Sequence, residues 1–170
     1  AKKYMKIVFR DLELYSSIVK NKKIIAVTGT NGKSTTVKLI NDILINNNIN
    51  SFLGGNIGTP LLDFYNNQAN IHVIELSSYQ LEAAPSFKSY ISILLNISND
   101  HLDRYGSMEN YAYFKEKIIN AKKNSYCIIS LDDNHCRKIY EKNMHTNKII
   151  VPISTSKKIT NGVFFFKNKI

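Results

Sequence analysis

No run of apolar residues in this 170-residue sequence approaches the roughly eighteen that a membrane-spanning helix needs. The opening Ala1-Lys2-Lys3-Tyr4-Met5-Lys6 also lacks the apolar stretch of a secretory signal. A soluble protein of the cytoplasm, with no membrane partner, is the expectation. Cysteine is scarce: Cys127 and Cys136 match no zinc or redox spacing and read as reduced, structural thiols. Acidic residues are in deficit, 13 against 23 Lys and Arg, which leaves a formal charge of +10. The lysines are scattered among asparagines instead of gathering in a basic, aromatic-studded stripe, so no nucleic-acid partner is expected. A positive field suits a phosphate-rich ligand as well. There is no internal repeat and no low-complexity tract beyond Asn46-Asn47-Asn48.

What is present is an ordinary globular balance, 44% hydrophobic and 21% charged, in a length that suits one domain. Apolar runs bounded by turn residues predict buried strands over 23–28, 72–76, 90–97, 126–130 and 148–151. Helices are predicted between them. Residues 33–46 place Val37, Leu39, Ile40, Ile43 and Leu44 on roughly one face, and 108–121 offer Tyr111, Ala112, Phe114, Lys115, Ile118 and Ile119. A further helix is predicted over 133–142, a short amphipathic stretch over 11–19, and a strand over 163–167. Strands that alternate with helices give an α/β fold: a mainly parallel sheet flanked by helices on both faces, like that of the P-loop NTPases. Ligands bind such sheets at the carboxyl ends of the strands, where Gly29 to Ser34, Glu75, and Asn96 to His101 fall.

Gly29-Thr30-Asn31-Gly32-Lys33-Ser34 follows the first predicted strand and opens the first long helix. A phosphate-binding loop needs small residues that let backbone N–H groups turn inward, a lysine for the outer phosphates, and a hydroxyl for magnesium. Asn31-Gly32-Lys33-Ser34 supplies all three, and the helix N-terminus adds its positive end. The strict pattern asks for glycine where Val27 stands; Gly29 comes two residues later. ATP or a close relative is the expected ligand, against the plainer reading of a glycine turn capped by Ser34.

Val27-Thr28-Gly29-Thr30-Asn31-Gly32-Lys33-Ser34-Thr35 resembles the phosphate loop of the Mur ligases, which carry this shortened version. Three further segments are similar to the same family in order: Gly54-Gly55-Asn56-Ile57-Gly58-Thr59-Pro60, Glu75-Leu76-Ser77-Ser78-Tyr79-Gln80-Leu81-Glu82, and Asp100-His101-Leu102-Asp103-Arg104-Tyr105-Gly106-Ser107-Met108-Glu109-Asn110-Tyr111 followed by Lys115. The Glu-Leu-Ser-Ser-Tyr-Gln-Leu wording points to the branch that adds D-glutamate. The resemblance implies an ATP-dependent ligase of peptidoglycan precursor synthesis that joins UDP-N-acetylmuramoyl-L-alanine to D-glutamate through an acyl phosphate and releases ADP and phosphate. It implies ATP and magnesium as cofactors and a monomer. The other Mur ligases and the folylpolyglutamate synthetases are rivals within the fold. A nucleotide-binding module without ligase activity is another. A P-loop switch or motor would bring an aspartate-ended strand and a switch or helicase motif, and the sequence has neither.

Glu75 ends an apolar strand, where a carboxylate can hold magnesium or simply mark the strand end. Asn56 suits a contact to a substrate carboxylate or acyl phosphate, and equally a turn after two glycines. His101 alone reads as a surface histidine and Lys115 as a solvated lysine. The resemblance makes His101 a metal ligand and Lys115 a carbamylated lysine whose new negative charge binds magnesium. The expected cofactor-binding set is then Gly29, Thr30, Asn31, Gly32, Lys33, Ser34 and Thr35. The expected metal ligands are Ser34, Glu75, His101 and Lys115, and the expected catalytic set is Lys33, Asn56, His101 and Lys115. The family has three domains. Residues 1–20 resemble the tail of, or linker from, the one that grips the UDP-sugar. Residues 21–170 resemble the central ATP-binding domain, incomplete at its C-terminal end, and the amino-acid-binding domain is absent. This chain alone is expected to bind ATP weakly and not to ligate.

Overall fold

A computed structural model of the chain describes residues 10–120 and 125–165. Strand β1, Lys23–Thr28, is buried from its second residue to its last, as its continuous apolar run requires. It is the third strand, paired on both sides, of a seven-stranded, all-parallel sheet in the order β2-β3-β1-β4-β5-β6-β7. The other strands are β2 Ser51–Gly55, β3 Ile71–Glu75, β4 Ile91–Leu94, β5 Tyr126–Ser130, β6 Ile149–Ser154 and β7 Val163–Phe164. Parallel pairing demands crossovers, and helices supply most of them. These helices are α1 Asp11–Ile18, α2 Lys33–Asn46, α3 Ser78–Glu82, α4 Leu102–Tyr105, α5 Met108–Glu116 and α6 Asn134–Asn143.

Two apolar layers sandwich the sheet. The smaller, Ile25, Val27, Val73 and Ile93 from the strands with Val37 from α2, lies on one face. The larger fills the opposite face and takes in Ala26, Ile74 and Leu94, with Leu12 and Tyr15 of α1, Leu81 of α3, Tyr111 and Ala112 of α5, and Ile139 of α6. Helix α1 is pinned by a buried hydrogen bond of 2.7 Å from the Tyr15 hydroxyl to Nδ1 of His72, whose Nε2 faces the Ala69 carbonyl. Those partners fix the neutral tautomer, with Nε2 as the donor. Burial holds His72 below its ordinary pKa.

The predicted architecture and most elements are present, with instructive departures. In α2 only Val37 is buried; Ile40 and Leu44 are half-buried, while Leu39 and Ile43 are exposed. At about 100° per residue Leu39 and Ile43 lie across the helix from Val37, so the five do not share a face. Strand β2 was not predicted, because Ser51 to Gly55 carries two glycines and reads as a turn. Helix α3 is too short to show a period and is instead set by a capping box between Ser77 and Gln80. β4 ends at Leu94, not residue 97, since the chain leaves the sheet there to meet the phosphate loop. Helix α5 gives way to a 3₁₀ turn at Lys117–Ile119, and the predicted end of that helix at Ala121 lies outside the described residues. So do Phe166 and Lys167 of the predicted last strand, and residues 1–9 of the predicted N-terminal linker. Among the described residues no helix is long and apolar enough to cross a membrane.

Candidate functional site

The carboxyl ends of β1, β2, β3 and β4 converge on one edge of the sheet, and the phosphate loop rises from the first of them. Gly32 takes a left-handed conformation at φ +81°, which turns the chain from the loop into the first turn of α2. The amides of that first turn have no carbonyl four residues earlier in the helix and point out of its N-terminus. Lys33 is half-buried and folds back so that Nζ donates to the Thr30 carbonyl at 2.8 Å. Thr35 is exposed in the same turn.

Ser34 faces across to β3. Its hydroxyl donates to Oε2 of Glu75 at 2.7 Å, and Nδ2 of Asn56 donates to Oε1 at 3.0 Å. Glu75 is 1% exposed, so its charge is held where water is scarce. The approach of Asn56 depends on Gly55, which sits at φ +112°; a Cβ there would lie 2.2 Å from the Glu75 carbonyl oxygen. The Asn56 amide then donates to that same carbonyl at 3.0 Å. A serine hydroxyl and a carboxylate side by side at a helix N-terminus are hard oxygen donors that fit magnesium. The structure thus brings together Ser34, Glu75 and Asn56 from three separate segments.

Lys115 lies under the loop. Its ammonium group, 1% exposed, donates to the Gly29 carbonyl at 2.7 Å and sits 4.7 Å from the centre of the Tyr111 ring. Burial, then the nearby charge of Lys33, lowers its pKa from 10.5 to about 7. His101, at φ +52° before α4, is exposed and turned toward Asp100, with Nε2 3.5 Å from Oδ2. Its ring lies 5.0 Å from that of Tyr79 and 6.0 Å from that of Tyr111. Among the described residues no three His, Cys, Asp or Glu side chains gather as a metal cluster. Ser34 and Glu75 are in direct side-chain contact, and His101 and Lys115 both lie against the Tyr111 ring.

Beside the loop, away from Glu75, a cavity of about 880 Å³ runs toward β6 and β7. Asn31, Gly32, Thr36 and Leu95 line its loop side, and Asp132, Ile153, Thr155 and Phe164 its far side. Asp132 organises the far wall. It accepts hydrogen bonds from Ser154, from the hydroxyl and amide of Thr155, and from Ser156. Burial pushes its carboxyl pKa up, but those bonds outweigh it and hold the group well below its ordinary value. No local signal marks this wall, because its residues are unremarkable in type and lie far from the loop in the chain.

Residues 27–168 match the model of the Mur ligase middle domain. The chain belongs to the Mur ligase family. It is 41% identical over 165 residues to the UDP-N-acetylmuramoylalanine–D-glutamate ligase of Rickettsia prowazekii (strain Madrid E), which covers 96% of this chain and 37% of that protein. It is 42% identical over 159 residues to the protein of the same name from Brucella abortus (strain 2308), covering 91% and 34%. The chain thus spans about a third of the length of these relatives. Among solved structures, the MurF ligase from Thermotoga maritima in complex with ADP aligns with a TM-score of 0.66 at 21% identity, over 89% of this chain and 38% of that one. That likeness establishes the Mur ligase central fold.

Proposed function

We propose that the chain is the central, ATP-binding domain of a ligase that joins D-glutamate to UDP-N-acetylmuramoyl-L-alanine. Residues 1–20, whose helix α1 packs onto the larger core, are then the tail of, or linker from, a sugar-binding domain, and 21–170 the nucleotide domain. The observation that carries the reading is Glu75, held between Ser34 of the phosphate loop and Asn56 of the neighbouring strand end. It joins the place where phosphate would sit to an exposed polar side chain that could meet a second substrate. Identity of 41–42% to ligases bearing that name supports the choice of substrates.

In this reading the amides at the start of α2 and Lys33 bind the β- and γ-phosphates, and the cavity bounded by Leu95, Ile153 and Phe164 takes the nucleoside. A carboxylate oxygen of the muramoyl substrate attacks the terminal phosphorus and ADP leaves; the amine of D-glutamate then displaces phosphate and loses a proton as the amide forms. Asn56 orients the acyl group. Magnesium, held by Ser34 and Glu75, neutralises phosphate charge when bound. Lys115, a buried amine whose pKa is lowered to about 7, has a neutral fraction near neutral pH that is suited to take up carbon dioxide as a carbamate, and the carbamate with His101 would supply a second magnesium site. ATP and a nucleotide-linked substrate place the reaction in the cytoplasm, and we expect a monomer.

The test is phosphate release by the full-length protein, expected only when UDP-N-acetylmuramoyl-L-alanine, D-glutamate and ATP are all present. Release with a different amino acid or with a folate would refute the substrate assignment. The 170-residue chain alone should bind ATP weakly and release none.

A further inference from the structure

Phosphate is only an acceptor, so a loop that cradles it must present N–H groups and hide its carbonyls. The peptide unit is planar and trans, so its C=O and N–H point in opposite directions, and fixing one aims the other. At the Asn31–Gly32 peptide of this loop a side chain from the segment that follows β4 does the fixing. Nδ2 of Asn96 donates to the Asn31 carbonyl at 3.0 Å, and Oδ1 accepts from the amides of Thr30 at 3.1 Å and Asn31 at 2.8 Å. One acceptor with two N–H partners and one donor with a C=O partner allow only this orientation of the carboxamide.

We propose that Asn96 is a positioning residue for nucleotide binding: by drawing the Asn31 carbonyl toward itself, it turns the Gly32 N–H the opposite way, into the phosphate site. The inference rests on the ATP-binding part of the proposed function. Asn96 is itself held in place. Its backbone carbonyl accepts from Thr30, the amide of Leu95 donates to Thr28, and the amide of Ile97 donates to Asp133. The Thr30 and Asn31 amides are occupied by Asn96, which leaves Gly32, Lys33 and Ser34 to supply the phosphate contacts.

Asn96→Asp keeps an acceptor for both amides and removes the donor to Asn31; Asn96→Ala removes all three bonds. In the full-length protein both variants should raise the Kd for magnesium-ATP at least about tenfold, as loss of a hydrogen-bonded orientation does. Binding of UDP-N-acetylmuramoyl-L-alanine should change less than twofold. ATP binding as in wild type, or equal weakening of both ligands, overturns the proposal. A second measurement needs no variant: on adding ATP to wild type, the backbone amide resonance of Gly32 should shift far more than those of Thr30 and Asn31. Larger shifts at Thr30 and Asn31 would mean that Asn96 releases them to the phosphate, and would refute it. A wild-type protein that binds no nucleotide removes the ligase reading first, and Asn96 with it.

Discussion

Lys115→Met should stabilise the folded chain near pH 6 and cease to do so near pH 10. The lysine is 1% exposed and its pKa falls from 10.5 to about 7. A lowered folded pKa means that the unfolded chain binds the extra proton between these values, so the penalty vanishes above about pH 10.5 and is complete below about pH 7. At 1.36 kcal/mol per unit the full penalty is about 5 kcal/mol, a large share of the stability of a domain this size. Against it stands the bond to the Gly29 carbonyl, whose loss leaves a buried acceptor without a partner, at about 1–3 kcal/mol. The methionine variant should therefore be more stable by about 2–4 kcal/mol at pH 6 and equal or less stable at pH 10. Urea unfolding midpoints of both proteins, taken in buffer free of carbon dioxide across that range, measure the difference. A difference that does not vary with pH, or a variant less stable at pH 6, would refute the account of Lys115 as an amine whose protonation burial disfavours. Added bicarbonate should raise the midpoint of the wild type and leave that of Lys115→Met unchanged, since only an amine can form the carbamate.

Glu75→Gln retains partners for Ser34 and Asn56 but loses the charge, so full-length turnover should drop by about a hundredfold or more while the melting temperature stays within a few degrees. Saturation by magnesium at its usual concentration would count against Glu75 as a metal ligand. Gly55→Ala places a Cβ 2.2 Å from the Glu75 carbonyl in a backbone region that side chains avoid, and should cost more than about 3 kcal/mol by denaturant titration. Tyr15→Phe strips the partner from a buried ring nitrogen and should cost about 1–3 kcal/mol. Because burial lowers the pKa of His72, its contribution is whole above about pH 6.5 and is lost as the pH falls below. The cost of Tyr15→Phe should therefore shrink on acidification.

The elements read most directly from the sequence are those where one physical signal acts alone. β1 is a continuous apolar run between turn residues, and α2 begins at the glycine and lysine of the phosphate loop, so both were predicted with their observed bounds. Signals that compete were misread: Gly54 and Gly55 look like a turn, yet they close a strand whose neighbour presses too near for any side chain. Leu39 and Ile43 are apolar without being buried, because apolar residues do not all face a core. In the site, Ser34 and Glu75 were visible from their own surroundings, one after a glycine loop and one ending a strand. His101 and Lys115 were not, and only the resemblance to the Mur ligases singled them out. For Lys115 the reason is its surroundings: Gly29, Lys33 and Tyr111 enclose it, and no local window around position 115 contains the first two. Asn96 is the extreme case. Its partners lie 65 and 66 positions away, its residue type is among the commonest in this chain, and its effect is exerted on a backbone carbonyl, which every residue possesses. A group whose role is to orient the main chain of another segment leaves no mark in its own neighbourhood, so it becomes legible only when the fold sets the two strand ends side by side.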